Sequence, residues 1–95
     1  MNPNDVDLNN LRTQIDTIDD KIVALLAQRF NITRQVGTLK AQQNLPVESA
    51  DREALQFAAF NRLARSADIS EKLIQNLYQL IIDEVKREHQ AIRSK

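Results

Sequence analysis

The sequence predicts an all-α chain of three helices, long, short and medium, and three observations carry that prediction. Apolar residues recur at alternating steps of three and four: Leu8, Leu11, Ile15, Ile18, Ile22, Leu25, then Ile32, Val36 and Leu39. This is the repeat of a helix that buries one narrow seam. The 95 residues include one Gly and two Pro, so few turns are expected. The periodicity stops at 42–48 (QQNLPVE) and at 66–70 (SADIS), segments rich in residues that end and start helices.

The first helix is expected from about Asn4 to about Asn44, with residues 1–5 frayed and Asn4 or Asp5 as its N-cap. No Pro follows until Pro46. Gly37 is its weak point, costing about 1 kcal/mol relative to Ala, and it suits close packing or a change of direction. Some forty residues at 1.5 Å each make a rod of roughly 55–60 Å. A compact globule of this length has a radius of gyration near roughly 12 Å. The rest of the chain is too short to cover such a rod. A second chain is therefore expected against it, most simply its own copy in a two-fold homodimer.

Asn44 and Pro46 close the first helix. Ser49 is the expected N-cap of the second, with Asp51 and Glu53 in its first turn, where carboxylates favour the dipole. That helix runs to about Arg65, with Leu55, Ala58, Ala59 and Leu63 on one face. After the second break, Asp68 with Glu71 has capping-box spacing, and Ser70 is a rival N-cap. The third helix reaches about Ile92 on a stripe of Ile74, Leu77, Ile81, Val85, His89 and Ile92. Neither a repeat nor a linker divides the chain, so residues 1–95 read as one domain.

Composition narrows the function. Thirteen basic and thirteen acidic residues give a formal charge of zero, leaving no overall basic field for nucleic acid. Cysteine is absent, which excludes disulfides and thiol chemistry. No apolar run has membrane-spanning length and the N-terminus has no signal-peptide core, so a soluble cytoplasmic protein is expected. One His and no clustered carboxylates argue against a metal site. There is no Gly-rich phosphate loop, nucleophile elbow or triad set.

The chemistry must come from residues that break the pattern. The step after Leu25 lands on Arg29, a guanidinium where the seam asks for Leu. A buried Arg keeps its charge and needs an anion. Lys40 lies eleven residues on, on the same face and about 16 Å away along the axis. A small molecule with two separated carboxylates, or a carboxylate and another acceptor, fits between them. The alternative is that Arg29 pairs with an acid of a neighbouring helix and Lys40 is surface. Arg12, seventeen residues before Arg29, is about 25 Å away and roughly 100° round the axis. It cannot serve the same ligand within one chain. In an antiparallel dimer it approaches the Arg29–Lys40 stretch of the other chain; otherwise it is a solvated charge. Arg52, beside Glu53 in the first turn of the second helix, opposes the dipole unless an anion is near. Pairing with Asp51 or Glu48 is the plain alternative. His89, on an apolar stripe, reads first as a core residue.

Four segments together carry a resemblance: LRTQIDTIDDKIVALLAQR (Leu11–Arg29), VGTLK (Val36–Lys40), PVESADRE (Pro46–Glu53) and LYQLIIDEV (Leu77–Val85). The chain resembles the all-helical AroQ type of chorismate mutase over about residues 8–92. The resemblance implies an intertwined six-helix homodimer with two identical sites, rearranging chorismate to prephenate without cofactor or metal. It implies that Arg29, Arg52 and the partner chain's Arg12 bind the substrate carboxylates. Lys40 would contact the ether oxygen and a carboxylate, and Glu53 would hold the substrate hydroxyl. Three positions depart from the pattern. Ser49 stands where relatives often have Asp, which puts the hydroxyl contact there in question. His89 stands where the family has the Gln or Glu that faces the ether oxygen, with Glu88 as a rival if the register differs. Val85 replaces a small polar residue found in some relatives.

These residue types suit that reaction. A pericyclic rearrangement needs no acid, base or nucleophile. It needs a flexible molecule held in a reactive conformer, and charge stabilised as the ether bond lengthens. Bidentate arginines fix carboxylates in orientation, and a Lys at the ether oxygen stabilises developing negative charge. Two rivals share the fold: an isochorismate-pyruvate lyase, and a non-catalytic helical dimerisation module. Retention of Arg12, Arg29, Lys40, Arg52 and Glu53 speaks against the second.

Overall fold

A computed structural model describes residues 3–94, with side chains from residue 7 onward. It contains three helices, α1 (Pro3–Gln42), α2 (Ala50–Ser66) and α3 (Glu71–Arg93), and no strand among the described residues. The all-α, long–short–medium expectation holds. The frayed start expected at 1–5 falls in part on residues 1 and 2, which lie outside the described residues, and α1 begins at Pro3. A proline suits a first turn, because its fixed φ is helical and its missing N–H would have had no partner there. Asn4 and Asp5 therefore lie inside α1, and their side chains fall outside the described residues. No described helix is long and apolar enough to cross a membrane.

Two compact units divide the chain after Ile32. The first holds the N-terminal part of α1. Its seam is formed as the spacing predicts, but Leu8, Leu11, Ile15, Ile18, Ile22, Leu25 and Ile32 are 45–62% exposed. Thr13 and Thr17 spend their hydroxyls on the carbonyls four residues back, Asn9 and Thr13, at 3.0 and 3.1 Å. Their polar groups are thereby satisfied inside the helix.

The second unit, from Thr33 onward, packs the end of α1, α2 and α3. Both of its turns close on the same device. Asn44, at φ 55°, follows α1; the Leu45 N–H bonds the Lys40 carbonyl at 2.8 Å and the Asn44 N–H bonds that of Ala41 at 3.3 Å. Asp68, at φ 58°, follows α2; the Ile69 and Asp68 N–H groups bond the Ala64 and Arg65 carbonyls at 2.9 and 3.2 Å. These are Schellman closures, which need one left-handed residue; Asn and Asp tolerate that conformation better than most residues other than Gly. Asp68 is consequently not a capping-box residue. Ser70 caps α3, accepting the Leu73 N–H at 3.1 Å.

The packed face of α2 differs from the expected one. Leu55 and Leu63 are 66% and 64% exposed and Ala58 is exposed, with Ala59 half-buried. The covered face carries Glu53, Gln56, Phe57, Phe60, Asn61 and Ala64. Aromatic area decides this. The Phe60 ring stacks on Tyr78 of α3, with centroids 3.7 Å apart, and Phe57 meets Phe60 edge-on at 5.8 Å. The Gln75 amide donates to Asn61 Oδ1 at 2.9 Å on the same side. On α3 the expected stripe is right in register: Ile81 and His89 are buried and Ile74, Val85 and Ile92 are half-buried, with Ile82 buried beside them. Leu77, also on that stripe, is exposed.

Candidate functional site

Gly37 and His89 set how closely α1 meets α3 within the second unit. A Cβ on Gly37 would lie 2.5 Å from His89 Cδ2 and 3.0 Å from Ile92 Cδ1. Only the missing side chain lets the imidazole enter. The ring, 4% exposed, has Nε2 2.7 Å from the Thr33 carbonyl oxygen. A carbonyl only accepts, so Nε2 carries the hydrogen. Nδ1 is enclosed and meets no hydrogen-bonding group among the described residues. The ring as seated therefore presents no nitrogen to solvent. Its neighbour Glu88 is engaged elsewhere: Arg34 donates to it through Nε and Nη2 at 3.1 and 2.9 Å.

Two lysines converge on the segment joining α1 to α2. Lys40, in the last turn of α1 and half-buried, donates from Nζ to the Val47 carbonyl at 3.2 Å. An ammonium has three donors, so two remain for other acceptors. From α3, Lys86 reaches Glu53 Oε1 at 2.7 Å and Glu48 Oε1 at 3.8 Å. The hydrogen bond to Glu53 raises the Lys86 ammonium above the ordinary lysine value; the charges of Glu53, Glu48 and Asp83 add to this, and burial opposes it. Ser49 caps α2 as its sequence position predicts, its Oγ accepting the Arg52 N–H at 3.3 Å. That cap sets the first turn from which Arg52, exposed, and Glu53, half-buried, project. Val85 lies half-buried on α3.

Arg12 and Arg29 belong to the first unit, Arg12 exposed and Arg29 half-buried. Seventeen residues of helix keep them about 25 Å apart, so one chain does not bring them to one ligand. The second unit gathers Lys40 and Glu53 around the 47–53 segment. It also adds Lys86, which the sequence reading missed. A signal was present. Ile82, Lys86 and His89 follow the same four–three spacing that singled out Arg29, so a cation stands on an apolar stripe there too. Its acidic partners lie more than thirty residues away, beyond any local pattern.

Within the second unit, Lys40 can donate to a further acceptor and the Glu53 carboxylate can accept from a further donor. The family model described as chorismate mutase type II matches residues 11–90, a span that holds every one of these residues. The chain belongs to that family. Among its relatives, the chorismate mutase of Methanocaldococcus jannaschii is 28% identical over 79 residues, covering 83% of this chain and 80% of that protein. The T-protein of Haemophilus influenzae is 34% identical over 77 residues, covering 81% of this chain and 20% of that protein. The bifunctional chorismate mutase/prephenate dehydratase of Buchnera aphidicola is 32% identical over 82 residues, covering 86% and 21%. The chain thus spans about a fifth of the two bacterial relatives and most of the archaeal one.

Proposed function

We propose that this chain rearranges chorismate to prephenate, as a homodimer whose two sites each draw on both chains. One observation carries the reading: the family match covers Arg12, Arg29, Lys40, Arg52 and Glu53 together, in a chain with no other chemistry-bearing cluster in its sequence. Arg29 and Arg52 clamp the carboxylates, with Arg12 of the second chain. Forked guanidinium–carboxylate pairs fix orientation as well as charge, which removes much of the entropy of reaching the reactive conformer. Lys40 directs a free donor at the ether oxygen, where negative charge grows as the C–O bond lengthens and where a preorganised donor acts most strongly. Glu53 accepts the hydrogen bond of the substrate hydroxyl, with Ser49 beside it and Val85 on the apolar wall. His89 reaches the ether oxygen only by turning out of its seat against Thr33; seated, it holds α1 to α3. No proton is transferred.

The intertwined dimer is supported by the seam itself. Nine apolar side chains of α1 at helical spacing stand 40–62% exposed in the single chain. Exposed apolar surface of this extent marks a surface that meets a partner, and a second copy offers the same seam. The test is loss of chorismate by the purified protein, with isochorismate run in parallel. Conversion to prephenate is expected. Inactivity on chorismate, or pyruvate release from isochorismate alone, overturns the reading.

A further inference from the structure

We propose that Lys86 is a positioning residue for Glu53, fixing the carboxylate that recognises the substrate hydroxyl; this rests on the reading of the chain as a chorismate mutase. Lys86 Nζ lies 2.7 Å from Oε1 of Glu53, and each side chain is 25% exposed. Both are thus shielded enough for the pair to hold a geometry, which fully exposed pairs seldom do. A carboxylate has two oxygens and about four lone-pair sites. With Lys86 on Oε1, Oε2 remains free to accept from a hydroxyl. Glu53 is in the first turn of α2 and Lys86 is on α3, so the contact ties the start of α2 to a different helix. Glu48, 3.8 Å from the same ammonium, brings the preceding segment into the tie. Ionised, Glu53 is a pure acceptor, and so discriminates for a hydroxyl.

The experiment compares wild type, Lys86→Met, Lys86→Arg, Glu53→Gln and the Lys86→Met/Glu53→Gln double variant. Each is assayed for kcat and KM on chorismate and on its analogue with the ring hydroxyl replaced by hydrogen. Circular dichroism and melting select folded proteins. On chorismate, Lys86→Met should lower kcat/KM by about 10- to 100-fold, the range of a hydrogen bond to a charged group. Lys86→Arg should recover most of it. In the Glu53→Gln background, Lys86→Met should add little, since the two act as one unit. On the deoxy analogue the variants should approach wild type, because the hydroxyl that Glu53 reads is gone. Equal losses on both substrates, additive losses with Glu53→Gln, or a wild-type Lys86→Met each overturn the proposal. Should wild type itself leave chorismate unchanged, the chorismate mutase reading fails, an outcome distinct from these.

Discussion

Lys40 and Arg29 differ in what a substitution removes. Lys40 has a resting bond to Val47 and two donors to spare. Its loss should act on the charge that appears late in the reaction. Lys40→Ala should therefore lower kcat by roughly 100-fold or more with a smaller change in KM. Arg29→Ala should raise KM and lower kcat together, because orientation is lost with charge. Steady-state kinetics on chorismate checks both, and wild-type values in either variant would move the site elsewhere. His89 is a contrasting case. Its ring is buried against Gly37 with Nε2 on the Thr33 carbonyl, so His89→Ala should open a cavity and lower the melting temperature while the folded fraction keeps kcat within a few-fold. A loss as large as that of Lys40→Ala, without a change in melting, would mean that the ring leaves its seat and faces the substrate.

At the scale of elements, two contacts fix the unit that begins at Thr33. Gly37→Ala adds helix propensity worth about 1 kcal/mol but puts a methyl 2.5 Å from a buried ring. Overpacking of that kind costs about 1–3 kcal/mol. The net should be a lower denaturation midpoint, and a raised one would mean that α1 and α3 can separate there at no cost. The second contact is the Lys86–Glu53 pair. Its lysine has a folded pKa above the unfolded value of about 10.4. Stability from the pair is therefore complete below that pH and disappears as pH rises through the folded value. The difference in midpoint between wild type and Lys86→Met, less than about 1 kcal/mol for a partly exposed pair, should stay constant from about pH 7 to about pH 9.5 and shift above about pH 10.5. A gap that ignores alkaline pH would show that the pair contributes no net stability.

For the whole molecule, the prediction is an assembly. Sedimentation at micromolar concentration should give a dimer, and a folded, active monomer would end the idea. Complementation goes further. Arg12→Ala and Arg29→Ala chains, each inactive alone, should recover about a quarter of full activity after one-to-one exchange. Half of the chains then pair as heterodimers, and each heterodimer keeps one intact site of two. No recovery after confirmed exchange would rule out a site built from both chains.

The sequence by itself determined the three helices, the Ser49 cap and the α3 stripe, since period, caps and breaks are local properties of the chain, and it left Asp68 and Ser70 as rival caps of α3. It also showed Arg29 as a cation on an apolar seam, with Lys40 on the same face, while Arg12, Arg52 and Glu53 took their expected roles only from the family resemblance. Tertiary structure alone decided which face of α2 is covered. Leu55 and Leu63 make as good a stripe as Phe57, Phe60 and Ala64, and only the ring of Tyr78 on another helix distinguishes them. It alone turned Asp68 into a left-handed helix end rather than a cap, because two N–H groups needed the carbonyls of α2. It also joined Lys86 to Glu53, and the His89 ring to the gap at Gly37. Each of those pairs spans more than thirty residues, and a contact at that separation is chosen by the packing of whole helices rather than by any local preference of the residues that make it.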